Sequence, residues 1–296
     1  MKIGEIAALG AALSWTINGM IIGNIGRNLK ANTINLIRLS FGLIFLSIFT
    51  LFTAGEVFPF EAPSASFLYL GISGIIGFAI GDFFFISSIQ TIGPRFGMLM
   101  LSTSPILTAI LDYILFGVKL SLLGYLGIVL TIIGIGIVVL SQRDSNKIID
   151  KKMLISGLIF GILAATGQSV GTIFSKLGMS SIGAFQATQL RIAGGLLAMI
   201  VIHFFTKDRD KLLVAIKDKS IVSKMSIAGF LGPALGVGLS LLALKYTSAG
   251  VAATLTSTMP IMILPFSIFY YKEKISVAEI LGTIMSIIGI GILFTF

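Results

Sequence analysis

Ten apolar blocks, each about the length of a membrane-crossing helix, fill this 296-residue chain and leave only short polar breaks between them. They cover residues 3–25, 33–53, 67–88, 93–116, 121–140, 153–176, 183–205, 222–244, 247–270 and 276–296. A helix of roughly 20 apolar residues spans a hydrocarbon core of about 30 Å. A buried strand or a soluble core helix accounts for one such block, but not for ten in series. Charge content points the same way: 11% of the residues are charged, against about 25% in an ordinary soluble domain. So few charges cannot cover a water-facing surface, and the mean hydropathy is +1.05. The expected fold is therefore an all-α integral membrane protein with ten transmembrane helices.

Several function classes drop out on composition. The chain has no cysteine and one histidine, His203. Thiolate nucleophiles, disulfides, iron–sulfur clusters, cysteine-ligated zinc and imidazole metal clusters are excluded, and no cofactor is expected. The first block begins at residue 3 with no small-residue cleavage pattern behind it, so it is expected to stay as a span. A net charge of +9 raises the question of nucleic acid. Most of the cations fall in short loops between blocks, however, where a membrane surface explains them, and no nucleic-acid partner is expected.

The chain repeats itself at a shift of about 155 residues. Ile132-Ile-Gly-Ile-Gly-Ile137 returns as Ile287-Ile-Gly-Ile-Gly-Ile292, and Ser102-Thr-Ser-Pro-Ile106 as Ser257-Thr-Met-Pro-Ile261. Arg38-Leu-Ser-Phe-Gly42 answers Arg191-Ile-Ala-Gly-Gly195, and Gly127 maps to Gly282. Two five-helix repeats are expected, at 1–140 and 153–296, joined by a basic linker at 141–152. Five is odd, so the second repeat should be inverted relative to the first, the arrangement that supports alternating access in many transporters. Loops after odd-numbered blocks hold fifteen lysines and arginines and the opposite side four. The positive-inside rule then puts the odd loops in the cytoplasm and both termini outside. Residues 207–224 carry Leu212, Leu213 and Ile216 at helical spacing among lysines, as a short basic helix on anionic lipid would.

Trp15 in the first block, Arg38 and Arg191 near the starts of the second and seventh, and the Ser/Thr-then-Pro motif in the fourth and ninth form an ordered set. With Lys272-Glu-Lys-Ile275 and the glycines of the fifth and tenth blocks, the sequence resembles the drug/metabolite transporter superfamily in its ten-span EamA-like branch. The resemblance covers nearly the whole chain. It implies a multi-pass carrier, in the plasma membrane, that exports a small-molecule substrate such as an amino acid, often coupled to protons. Val118 stands where the second half has Glu273, so the acidic residue before the last span of a repeat occurs once. Many family members have cytoplasmic termini; the charge count of this chain points to termini outside.

An ionisable group inside a bilayer needs a partner or a wet cavity. Arg38 and Asp82 lie at similar depth, roughly 8–9 Å from the odd-loop ends of their spans. Two readings of that pair stand: protonation of Asp82 releases Arg38 and couples transport to protons, or the pair is static. Arg191 has no counterpart acid, because Val237 occupies the place of Asp82; a backbone carbonyl, a lipid phosphate, Asp112 or an anionic group of the substrate are its candidate partners. Trp15 and Asn18 share one helix face, as do Gln168 and Thr172 on the corresponding span, and either line a central cavity or bond between helices. Ser102, Thr103, Ser257 and Thr258 flank Pro105 and Pro260, where they either take up freed carbonyls or face the solute. The glycines of the fifth and tenth blocks are expected to serve close packing. An intramembrane aspartyl enzyme is disfavoured, since Asp82 and Asp112 fall toward opposite leaflets. A channel or a structural membrane protein is the remaining alternative. Oligomeric state is not legible.

Overall fold

The computed structural model describes residues 3–25, 29–117, 121–141, 150–179, 182–206, 209–270 and 272–295. These residues form helices α1 (Ile3–Ile25), α2 (Ala31–Ala54), α3 (Ser64–Gly74), α4 (Asp82–Leu101), α5 (Ser104–Phe116), α6 (Leu122–Ser141) and α7 (Lys151–Gly178). They continue with α8 (Ala184–Phe205), α9 (Arg209–Lys217), α10 (Lys219–Gly229), α11 (Val237–Tyr246), α12 (Ala249–Thr256), α13 (Met259–Phe269) and α14 (Val277–Thr295). Two π-helical stretches, π1 (Ile75–Gly81) and π2 (Phe230–Gly236), join α3 to α4 and α10 to α11. Eight helical runs are long and apolar enough to cross a membrane, and two shorter apolar helices lie at Ser104–Phe116 and Val277–Leu293. Large apolar side chains stand on the outside, Phe52, Phe205 and Phe269 each more than 80% exposed. An outer surface of that kind belongs in lipid, and the protein is a multi-pass membrane protein.

The long run from Ser64 to Leu101 doubles back on itself. Gly93 sits at φ 86°, ψ 163°, a region open essentially to glycine alone, and Pro94 follows as the pre-set first residue of a new helical segment. A Cβ on Gly97 would lie 3.3 Å from the backbone nitrogen of Ile89. In an unbroken helix those two residues would be roughly 12 Å apart along the axis. Left-handed glycines also end α2 and α5, at Gly55 (φ 76°) and Gly117 (φ 68°).

The repeat read in the sequence has local counterparts in the backbone at the same shift of 155. The two π stretches correspond, and so do the breaks at Ser102–Thr103 and Ser257–Thr258. At each break a proline, Pro105 or Pro260, falls in the first turn of the next helix, where its missing N–H costs nothing. Neither proline kinks a continuous helix; the chain breaks into two helices at each place. Packing between the halves corresponds as well. The α3–π1 segment lies on α7 and α8, while α10–π2 lies on α1 and α2. Gly74 meets the Arg191 carbonyl and Gly229 meets the Arg38 carbonyl so closely that a side chain at either place would drive the helices apart.

Helices α6 and α14 pack backbone against backbone. A Cβ on Gly127 would lie 2.6 Å from the Gly289 carbonyl, and one on Gly134 would lie 2.7 Å from the backbone nitrogen of Ser286. Backbone contact of this kind is the small-residue packing common in membranes, and Thr131 Oγ1 donates across it to Ser286 O at 3.2 Å. Gly136 and Gly291 do not belong to the contact. The expected basic helix appears as α9, with Leu212 on the core and Leu213 and Ile216 exposed. Most of the linker expected at 141–152, and Val118, lie outside the described residues.

Candidate functional site

Arg38 and Asp82 form a fully buried ion pair. The π1 stretch delivers Asp82 to it, and its carbonyls are taken up by side chains of other helices: Asn35 Nδ2 donates to Phe78 O at 2.7 Å and Gln168 Nε2 to Gly77 O at 3.2 Å. Arg38 Nη2 also donates to Asn35 Oδ1 at 3.1 Å. With the Asn18 amide oriented so that Nδ2 donates to Ala228 O at 3.0 Å, its oxygen accepts from Arg38 Nη1 at 3.3 Å. Gln168 Nε2 donates to the second Asp82 oxygen at 3.0 Å. Both carboxylate oxygens are thus occupied, and α1, α2, π1, α4 and α7 meet at one polar knot. Burying two charges in lipid is tolerable only when they are paired and largely hydrogen-bonded, as here, where Arg38 Nε alone of these charged groups' atoms lacks a partner.

Beside the knot lies a cavity of about 180 Å³. Its floor is made by the two helix breaks, through Leu101, Ser102, Ser257 and Met259, and Trp15 forms one wall. Gln168, Thr172 and Lys176 descend one side on α7, Arg191 stands on α8, and Val237, Ser240, Leu241 and Leu244 come from α11. Trp15 meets Phe85 edge-on at 6.0 Å, and its indole nitrogen lies 3.1 Å from where a Cβ on Gly236 would stand. Asp112 and Lys176 pair at 3.1 Å at the rim, with side chains 22% and 36% exposed. The lining therefore runs from mid-helix toward the ends of α5, α7 and α11 and the start of α12, one end of the molecule. For scale, an engineered cavity of about 150 Å³ takes a benzene ring.

The other end is closed by charge. Arg95, two residues after the reversal at Gly93, is 7% exposed and donates through Nη1 to Glu279 Oε2 at 2.8 Å. Its Nε lies 3.6 Å from Glu273 Oε2, and its guanidinium lies 4.8 Å from the centre of the Phe96 ring. This ties α4 to the start of α14. Along the run from Arg95 to Asp112 the rise amounts to about 25 Å, so the cluster and the cavity rim are at opposite ends.

Of the residues picked from the sequence, Trp15, Gln168, Thr172, Ser102, Ser257 and Arg191 come together at the cavity. Asn18 does not line it; it lies behind, against Arg38. Thr103 and Thr258 turn away and donate to Met100 O and Leu255 O, each at 2.7 Å. Asp112, a candidate partner for Arg191, belongs to Lys176 instead. Arg191 lies over the Phe78 ring at 4.8 Å.

The EamA-like transporter family matches residues 2–140 and again residues 155–295. This chain belongs to that family. As an EamA-like transporter of the drug/metabolite superfamily, it is 25% identical over 290 residues to an uncharacterized transporter of Archaeoglobus fulgidus, covering 97% of this chain and 96% of that one. An uncharacterized protein of Methanocaldococcus jannaschii is 28% identical over 138 residues, 47% of the EamA-like chain but 96% of its own length. One solved crystal structure shares the fold, with a TM-score of 0.61 at 14% identity over 99% of this chain and 95% of that one. Within the EamA-like fold, two functional candidates escaped the sequence. Arg95 is one of the fifteen loop-side cations of the charge count, and nothing in that count marks it as buried. Glu279 was hidden in what reads as the apolar start of the last block.

Proposed function

We propose that this EamA-like transporter is a secondary carrier that exports a small metabolite, such as an amino acid or related compound, across the plasma membrane by alternating access. The observation that carries the reading is Gln168, whose side chain lines the cavity and also donates to Asp82 at 3.0 Å. Solute and ion pair are one side chain apart. On this reading, protonation of Asp82 loosens Arg38 and frees Gln168, so that the proton and the solute act on the same helices. The fold comprises ten crossings in two inverted repeats, 1–140 and 153–296. The correspondence of π stretches and helix breaks at one shift supports this, as does a relative that is one half long. The positive-inside count supports a cavity that opens outward, with Arg95, Glu273 and Glu279 closing the cytoplasmic face. No catalytic role is proposed, since Asp82 and Asp112 are each held by a different cation.

The test is transport by protein reconstituted in vesicles, using a solute found by thermal-shift screening of small metabolites. Uptake should saturate and show counterflow. Trp15→Ala removes the cavity's aromatic wall and should raise the half-saturating concentration about tenfold, equivalent to about 1.4 kcal/mol, with the amount of folded protein unchanged. Uptake that rises linearly without counterflow would mean a channel.

A further inference from the structure

The charges around the cavity do not balance. Lys176 and Asp112 cancel at the rim, and Arg38 and Asp82 cancel behind the wall. Arg191 is left over. It is 3% exposed, and its Nε and Nη2 are buried without a hydrogen-bond partner. Asp82 acts on Arg191 only through space: it makes no hydrogen bond or ion pair with it, and its one charge is already matched by Arg38. The Phe78 ring face offers a cation–π contact but accepts no conventional hydrogen bond from a guanidinium. Among the described residues no acid other than Asp112 lines the cavity, and the buried Glu279 is at the far end of the molecule with Arg95 and Glu273. An unmatched cation inside a membrane protein is costly unless something neutralises it.

We propose that Arg191 is the anion-binding residue of the cavity, and that the transported solute carries one carboxylate or an equivalent monoanionic group. This rests on the cavity being the solute site. One negative charge brings the cavity to neutrality, and a carboxylate accepts strong, charge-assisted hydrogen bonds from a guanidinium. Hydroxyls of Ser102, Thr172 and Ser240 line the same space; each donates its proton to a backbone carbonyl of its own helical run, at 2.7, 2.8 and 2.8 Å, and can accept from a donor of the solute. Trp15 and Leu241 provide the apolar contact. The volume limits the solute to about the size of a benzene ring with a short polar substituent.

Trp15 is the only tryptophan, so its fluorescence reports on this cavity alone. The experiment titrates purified protein in phosphatidylcholine nanodiscs with benzoate and with L-valine, each against its primary amide, and reads Trp15 emission. The carboxylates should bind at least tenfold more tightly than the amides. Arg191→Gln should erase that preference, and Arg191→Lys, which keeps the charge but not the guanidinium, should keep part of it. Equal binding of acid and amide to the wild-type protein, a comparison that needs no variant, overturns the proposal while leaving the cavity as the solute site. A preference that survives in folded Arg191→Gln overturns it too. If phosphatidylglycerol in the nanodisc competes away the carboxylate preference, the anion is a lipid headgroup and the solute proposal fails. If none of the probes alters Trp15 emission, the cavity reading falls and this inference with it.

Discussion

Asp82→Asn should abolish accumulation driven by a pH gradient while leaving counterflow within about threefold of wild type per folded molecule. The amide keeps the shape of the carboxylate but cannot take up a proton, and its oxygen can still accept from Gln168. It fails toward Arg38, because the amide nitrogen is a donor facing a donor. Leaving a buried charge without its partner costs about 3–5 kcal/mol, so the yield of folded protein should fall as well. Transport is therefore compared per folded molecule. The double variant Arg38→Met with Asp82→Leu separates the two effects. Replacing a buried ion pair by apolar residues of similar volume is close to neutral for stability, so the double variant should recover the folded yield without recovering accumulation. Persistent pH-driven accumulation in Asp82→Asn would make the pair a static element of the fold.

The second large effect is expected at Arg95. In the structure its guanidinium joins α4 to Glu279 and Glu273, closing the end opposite the cavity rim. Arg95→Ala leaves Glu279 buried with no cation, so the closed arrangement loses its main attraction and gains an unpaired carboxylate. The balance should move toward the arrangement open at that end by at least tenfold, or about 1.4 kcal/mol. Glu279→Gln should have a smaller effect of the same sign, because Glu273 remains near Arg95. The measurement is the rate at which a thiol reagent added to the Arg95 face reaches a cysteine placed at Ser257. An unchanged rate in folded Arg95→Ala would show that the ion cluster holds α14 in place without controlling access.

Much of this architecture was legible because lipid restricts what a sequence can mean. Twenty apolar residues in a row have few uses, and motifs such as Ile-Gly-Ile-Gly recur at a fixed shift because both halves solve the same packing problem. The Arg38–Asp82 pair was legible for a related reason: charges at equal depth in a bilayer seek each other. What spacing could not settle was direction. Trp15 and Asn18 are three residues apart, yet one faces the cavity and the other lies behind it against Arg38. Thr103 and Thr258 sit beside Ser102 and Ser257 but do not line the cavity; Thr103, Thr258 and Ser102 alike bond a carbonyl three residues back, so that bond does not tell which residue faces the solute. The π stretches carry no signature in a 3.6-residue periodicity, yet the first of them leads directly into Asp82, which meets Arg38 and Gln168. Arg95 counts as a loop cation in the sequence, and only the tight fold-back at Gly93-Pro94 buries it.

The central claim is that one cavity serves both faces of the membrane in turn. The chain has no cysteine of its own, so Ser257→Cys supplies a unique thiol at the floor of the cavity. Its labelling by a membrane-impermeant reagent can be followed from each side, in intact cells and in inside-out vesicles. The account predicts labelling from both sides, faster from the outer face in the absence of solute, and slowed from either side by a saturating transported solute. Labelling confined to one face under every condition, with transport intact, would contradict it.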